Sequence, residues 1–222
     1  MEQKDIKFAN EVLPFWDDLS DNERTILLNR MSKLYYSKGQ IIHSGDDCTG
    51  LLLIRSGQIR TYILSESGKE ITLFRLFDRD ICILSSSCMM KNITFDVQVE
   101  AEKDSEMLLI PTVVYQKLSD TNMAVKDFTN EIISSRLSDV MWVMEQVVFM
   151  SLDKRLANFL LDQYSIQGTD QLLITHETIA RNIGSAREVV TRMLKYFQNE
   201  SMVLLSRGMI TLIDRKKINS LL

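Results

Sequence analysis

The chain is poor in histidine, cysteine and proline, and it has no long apolar run. His43 is the only histidine before residue 151, so a metal-dependent enzyme built on a β-barrel would lack the clustered imidazole and carboxylate ligands it needs. No catalytic residue, metal ligand or cofactor is therefore predicted. Cys48, Cys82 and Cys88 are odd in number and show no C-x-x-C spacing, which excludes the disulfide framework of a small secreted domain and fits a reducing cytoplasm. No segment approaches about 18 consecutive apolar residues, and the start, Met1 to Ile6, carries charges where an export signal would be apolar. The expectation is a protein that is neither exported nor membrane-spanning.

What is present is an ordinary globular composition, 45% apolar and 25% charged, over 222 residues, enough for two modest domains. The net charge of -4 disfavours indiscriminate nucleic-acid binding but is unevenly distributed. From Ser151 onward ten Lys and Arg face seven Asp and Glu, about +3, leaving about -7 for residues 1–150. A basic C-terminal module suits a partner with phosphates, although a solvated surface would look the same.

Along residues 1–35 apolar positions including Leu19, Ile26, Leu27 and Leu34 recur at helical spacing, and Ser20 to Glu23 has the S-x-x-E form of a capping box. From Tyr35 to Pro111 short runs rich in Ile, Leu, Val, Phe and Tyr alternate with Gly39, Gly45, Gly50, Gly57 and Gly68. This predicts an antiparallel sheet with tight hairpins, closed into a roll or barrel that hides its edges. From Asn122 to Met150 there is neither Gly nor Pro. Val125, Phe128, Ile132, Leu137, Val140, Met141, Met144, Val147 and Val148 recur mostly at spacings of three and four, which predicts one long helix. Its C-terminal half is apolar on more faces than one domain covers, and a second copy of the chain is the natural cover; burial wholly within one domain is the alternative. The expected organisation is a sensor domain over residues 1–121, a dimerisation helix over 122–150 and a reading domain over 151–222.

The most informative stretch runs from Ile174 to Lys195. Thr175 is placed to cap a helix with Ile179, Ala180 and Ile183 inward, and Gly184 gives the freedom for a sharp turn. Ser185 then caps a second helix in which Glu188 completes S-x-x-E, with Val189, Val190, Met193, Leu194 and Phe197 inward. Two capped helices around a Gly turn make a helix-turn-helix. The second helix exposes Arg187, Glu188, Thr191 and Arg192 near its start, the end that enters the major groove. Arg pairs with guanine O6 and N7, and Glu accepts from cytosine N4. Ser201 to Ile213, with a turn at Arg207-Gly208, reads as a hairpin wing, and Asp214 caps a last short helix carrying Arg215, Lys216 and Lys217. Double-stranded DNA is the partner this pattern predicts, read by Arg187, Glu188, Thr191 and Arg192 and backed by Thr175, Ser185, Lys195 and Arg207. A winged helix used for protein docking, or a merely solvated helix face, is the rival.

This order of parts resembles the Crp/Fnr superfamily of bacterial transcription regulators over nearly the whole chain, most strongly at Thr175 to Lys195. The resemblance implies an α+β protein: a β-roll related to cyclic-nucleotide-binding domains, a long dimer helix and a winged helix-turn-helix. It also implies that Arg187, Glu188 and Arg192 occupy the base-contacting R-E-x-x-x-R pattern. A homodimer on an inverted-repeat operator follows, with RNA polymerase as a further partner and a small-molecule effector that the sequence does not identify. Members that bind cyclic AMP carry a Gly-Glu pair and a downstream Arg that neutralise the cyclic phosphate. Here residues 79–88 lack the Gly-Glu pair, and Phe95-Asp96 stands where the Arg belongs. The expectation is a branch without that cassette, not switched by cyclic nucleotides. No cysteine precedes Cys48, so the N-terminal iron-sulfur cluster of the redox-sensing members is not expected. A redox pair of Cys82 and Cys88, or haem or metal ligation through His43, stays open as an alternative within the same fold.

Overall fold

The computed structural model describes residues 1–45, 49–85 and 96–222. Contacts divide the chain into two compact units, residues 1–63 with 73–140, and residues 64–72 with 141–222.

The first unit opens with α1 (Gln3–Val12), a short 3-10 turn (Trp16–Asp18) and α2 (Asp21–Arg30). The Ser20–Glu23 capping box is present: the Ser20 hydroxyl accepts from the Glu23 N–H, and the Glu23 carboxylate accepts from the Ser20 N–H. Leu34, expected on a helix, lies instead in a strand, because the helix stops at Arg30 and the following residues pair across a sheet.

Among the described residues eight strands follow: β1 (Ser32–Tyr36), β2 (Ile41–Ser44), β3 (Leu51–Ser56), β4 (Ile59–Leu64), β5 (Glu70–Leu76), β6 (Ile81–Cys82), β7 (Gln98–Ala101) and β8 (Ser105–Ile110). They form two four-stranded sheets, ordered β1-β8-β3-β6 and β2-β7-β4-β5. All pairings resolved are antiparallel, and they nest: β1 pairs with β8, β2 with β7 and β3 with β8 and β6. Ile42, Leu52, Ile54, Ile59, Leu76, Val99, Ala101 and Met107 form the buried layer between the sheets. Burying side chains from both sheets is what holds such a roll together.

Gly57 turns β3 into β4 with φ +113°, and a Cβ there would strike Ser105 Oγ and stand 2.7 Å from the Asp104 carbonyl oxygen. Both the dihedral and the backbone neighbour forbid a side chain. Gly57→Ala is expected to cost about 2 kcal/mol or more, read as a lowered denaturant midpoint of the first unit's transition.

A buried carboxylate ties α1 to the roll. Asp5 accepts from Arg55 at 2.7 Å, sits 3.0 Å from Lys33 Nζ, and caps its own helix by accepting the Glu2 N–H. Burial pushes this carboxyl up, but the hydrogen bonds from Arg55, Lys33 and the Glu2 backbone outweigh it and bring the group to about 2. The stabilisation is therefore complete above the unfolded value near 4 and is lost as pH falls toward 2. Asp5→Asn is expected to lower stability by roughly 2 kcal/mol at pH 7 and by little at pH 2, measured by denaturant melts at both.

After Pro111 come α3 (Thr112–Thr121) and α4 (Met123–Phe149). The first part of α4 packs on its own unit. Val125 and Ile132 are buried, Phe128 stacks at 5.3 Å on Phe15, and Thr129 bonds the Tyr115 hydroxyl at 2.7 Å. Val125, Phe128 and Ile132, expected to meet a second chain, are thus covered within their own chain.

The second unit contains α5 (Leu152–Gln167), β9 (Gln171–Leu172), α6 (His176–Ile183), α7 (Arg187–Asn199), β10 (Val203–Ser206), β11 (Met209–Leu212) and α8 (Arg215–Asn219). Its sheet is ordered β10-β11-β9. The core gathers Leu156, Leu160, Leu172, Ile179, Ala180, Val190, Leu194, Phe197, Val203, Ile210 and Ile218. The same unit takes in residues 64–72, where Glu70 pairs with Arg181 at 3.0 Å and the Thr72 hydroxyl donates to Asn182 at 2.6 Å. Among the described residues, no helix is long and apolar enough to cross a membrane.

Candidate nucleic-acid interface

The reading head is assembled by two short helices and a hairpin. Thr175 caps α6 by accepting the Thr178 N–H at 3.1 Å. Ile179, Ala180 and Ile183 turn inward, and the small Ala180 lets α7 cross closely. Gly184 ends α6 at φ +64°, the left-handed conformation such a C-terminus favours, and Arg155 of α5 donates to the Ile183 carbonyl.

The cap expected at Ser185 is displaced. Ala186 is the N-cap of α7, with no side-chain cap bond, while the Ser185 N–H bonds back to the Ala180 carbonyl at 3.0 Å. Ser185 belongs to the closing turn of α6, so its S-x-x-E match with Glu188 is not used.

Thr175, Arg187 and Arg207 come together around an open cleft between the starts of α6 and α7 and the tip of the wing, lined also by His176, Glu177, Ser206 and Gly208. Glu188, Arg192 and Lys195 lie on the exposed side of α7, at spacings of four and three that place them in one stripe. Thr191 is half-buried, and its hydroxyl donates to the Arg187 carbonyl at 2.9 Å. The wing turns at Arg207-Gly208 with Ser206 opposite Met209.

The cations of this unit fall into two groups. Arg181 pairs with Glu70, Arg215 with Asp170 and Lys217 with Glu200, while Arg155 and Lys154 donate to backbone carbonyls. The side chains of Arg187, Arg192, Lys195 and Arg207 form no hydrogen bond or ion pair among the described residues, and neither does Glu188. Partial burial and the Arg187 charge lower the His176 ring from its ordinary value. The sequence reading passed over His176 and Glu177. The available signal was a rare histidine directly after the capping threonine.

Of the residues named for the alternative sensing chemistry, Cys82 and His43 lie in the described part of the roll. Cys82 is buried and burial pushes its thiol up, the reverse of what a reactive thiolate needs. His43 is buried on β2 with its Nδ1 3.4 Å from the Thr49 hydroxyl. No group of three or more His, Cys, Asp or Glu able to hold a metal occurs among the described residues. Cys48, Cys88 and Phe95 lie outside those residues; Asp96 is exposed.

A β-roll joined to a winged helix-turn-helix with an open cationic face defines a DNA-binding transcription regulator. Comparison with known proteins agrees. The family model for the Crp-like helix-turn-helix domain matches residues 154–221, and that for the cyclic nucleotide-binding domain matches residues 33–122. Regulatory protein HlyX of Actinobacillus pleuropneumoniae is 30% identical over 210 residues, 90% of this chain and 85% of that protein. A crystal structure of a Crp/Fnr family transcriptional regulator from Eubacterium rectale superposes with a TM-score of 0.92 at 51% identity, covering 95% of this chain and 98% of that one. The c-di-GMP responsive regulator CLP of Xanthomonas campestris, at 18% identity over 88% of this chain and all of that one, shares the fold with a TM-score of 0.72. The chain belongs to the Crp/Fnr family of transcription regulators, whose members bind DNA and act as dimers. It is a regulator of this type and not an enzyme. One expectation is overturned: the match of the cyclic nucleotide-binding model over residues 33–122 contradicts placement in a branch defined by lacking that function's cassette.

Proposed function

We propose that this regulator works as a homodimer whose two α7 helices enter successive major grooves of an inverted-repeat operator. In this reading residues 1–121 form the sensor, 122–150 the dimer helix and 151–222 the reading head. The carrying observation is the set of charged side chains at α7 and the wing that pair with nothing among the described residues although neighbouring cations do. Unpaired cations on a surface are tolerable in water, and gathered on one face they attract a partner of the opposite sign. Arg187, Glu188 and Arg192 read base edges, while Thr175, Lys195 and Arg207 meet phosphates.

Dimerisation is supported by the second half of α4. Leu137, Met141, Met144 and Val148 are 60%, 47%, 49% and 61% exposed and follow at spacings of four, three and four, the period of a two-stranded coiled-coil seam. Val140 and Val147 flank them. A small molecule held by the roll acts by favouring one of two arrangements of the dimer, in the cytoplasm and with RNA polymerase as partner.

A mobility-shift assay on the DNA upstream of its own gene tests the reading. A saturable complex that resists excess random DNA is expected; binding of all sequences alike would overturn it.

A further inference from the structure

His176 has no part in the reading just given, yet it lines the cleft where Thr175, Arg187 and Arg207 converge. Its Nδ1 stands 2.9 Å from the Thr191 hydroxyl oxygen. That hydroxyl has one proton, and it is donated to the Arg187 carbonyl at 2.9 Å. While the Thr191 hydroxyl donates to the Arg187 carbonyl, its oxygen accepts from the ring, which favours the neutral tautomer with its proton on Nδ1. Nε2 has no hydrogen-bond partner among the described residues. The relay through Thr191 thus decides what the ring offers the cleft: a lone pair when neutral, an N–H with a positive charge when protonated.

A neutral histidine ordinarily swaps tautomers and donates from either nitrogen. Here that exchange would turn the Thr191 hydroxyl away from the Arg187 carbonyl to donate to Nδ1, whereas taking a second proton makes the ring a donor toward the cleft with both bonds kept. We propose that His176 is a DNA-backbone contact that engages phosphate only as imidazolium, so that each subunit takes up a proton when it closes on its operator. The inference rests on the winged-helix reading of DNA proposed above.

The surrounding charges give the coupling its direction. Arg187 faces the ring from α7 and Arg207 from the wing turn, while Glu177, the next residue of α6, is the nearby anion. Partial burial and the Arg187 guanidinium lower the ring from its ordinary value and so favour the neutral ring in the free protein. A phosphate entering the cleft balances those guanidinium charges and favours the charged ring. Between the depressed value of the free protein and the raised value of the complex, binding takes up protons. Operator affinity must then rise as pH falls through that window.

The chain's only two histidines are His43 and His176, in different units, so histidine titrations are readily assigned by NMR. The experiment measures operator affinity by fluorescence anisotropy from pH 8 to pH 6 at constant salt, for the wild type, His176→Gln and His176→Arg. Proton uptake is measured in parallel by calorimetry in buffers of different ionisation heat. The wild type is expected to bind about tenfold more tightly at pH 6 than at pH 8, about threefold for each subunit. His176→Gln should lose that slope and its share of proton uptake, and His176→Arg should bind tightly and evenly across the range. A slope unchanged in His176→Gln overturns the proposal. So does weaker wild-type binding on acidification, which would mean the neutral Nε2 accepts from a base amine. Failure of the wild type to prefer its operator at any pH would instead strike the winged-helix reading, and the inference with it.

Discussion

Replacing Met144 by Asp is expected to turn the regulator into a monomer at micromolar concentration. Met144 stands midway in the exposed stripe Leu137, Met141, Met144, Val148, and in a two-fold pair the substitution places two like charges against apolar surface. An uncompensated buried charge costs about 3 to 5 kcal/mol, which weakens dimerisation by at least a hundredfold. Sedimentation should show the loss directly, and operator affinity should fall with it, since one reading head cannot hold two half-sites. Val125→Asp is the informative contrast: Val125 is buried within its own unit, so that change should unfold the protein rather than dissociate it. A wild type already monomeric at these concentrations would remove α4 as the subunit contact.

The second large effect concerns base reading. Arg192→Ala should cost about 1 to 3 kcal/mol for each half-site and flatten discrimination at one base pair in each. Arg192 is exposed on α7 and makes no pair among the described residues, so stability should not change on its removal. Lys195→Ala, by contrast, should weaken operator and random DNA alike and lower the salt dependence by about one counterion per subunit. Binding to a panel of operators with single base changes, at two salt concentrations, separates the two behaviours. Equal loss on specific and random sequences for Arg192→Ala would end its role as a base reader.

Much of this architecture was legible because local chemistry and global fold agree. The Thr175 cap, the inward Ile179, Ala180 and Ile183, and the Gly184 turn are each required by the helix-turn-helix, and each leaves a trace in residue type. The hairpins around Gly57 and Gly68 and the wing at Gly208 were equally plain. Ser185 misled for a physical reason: its N–H completes the end of α6, which moves the start of α7 on by one residue. Val125, Phe128 and Ile132 misled for another. Periodicity marks an apolar stripe but not what covers it, and the same spacing serves Phe15 in this chain or a second copy outside it. Strand β9, two residues long, and α3, between a sheet and a much longer helix, are too short to stand out by pattern. The relation of the roll to cyclic-nucleotide-binding domains was legible, but the branch was misplaced, because the absence of one short motif does not define a domain whose match extends over residues 33–122.

The nesting of the roll's strands bears on how the protein is made. Ser32 pairs with Leu109 and Ile41 with Glu100, so β1 and β2 have no partners until almost the whole of the first unit has left the ribosome. Closing such long loops before any pairing is gained makes high-contact-order folding slow. Until then Leu51, Leu52, Leu53 and Ile54, wholly buried in the finished roll, stand open to association between nascent chains. The winged helix makes its contacts between near neighbours, α6 with α7 and β10 with β11, and closes soon after it emerges. Synthesis at low temperature, which weakens apolar association, is therefore expected to raise the yield of folded regulator by sparing the unfinished roll.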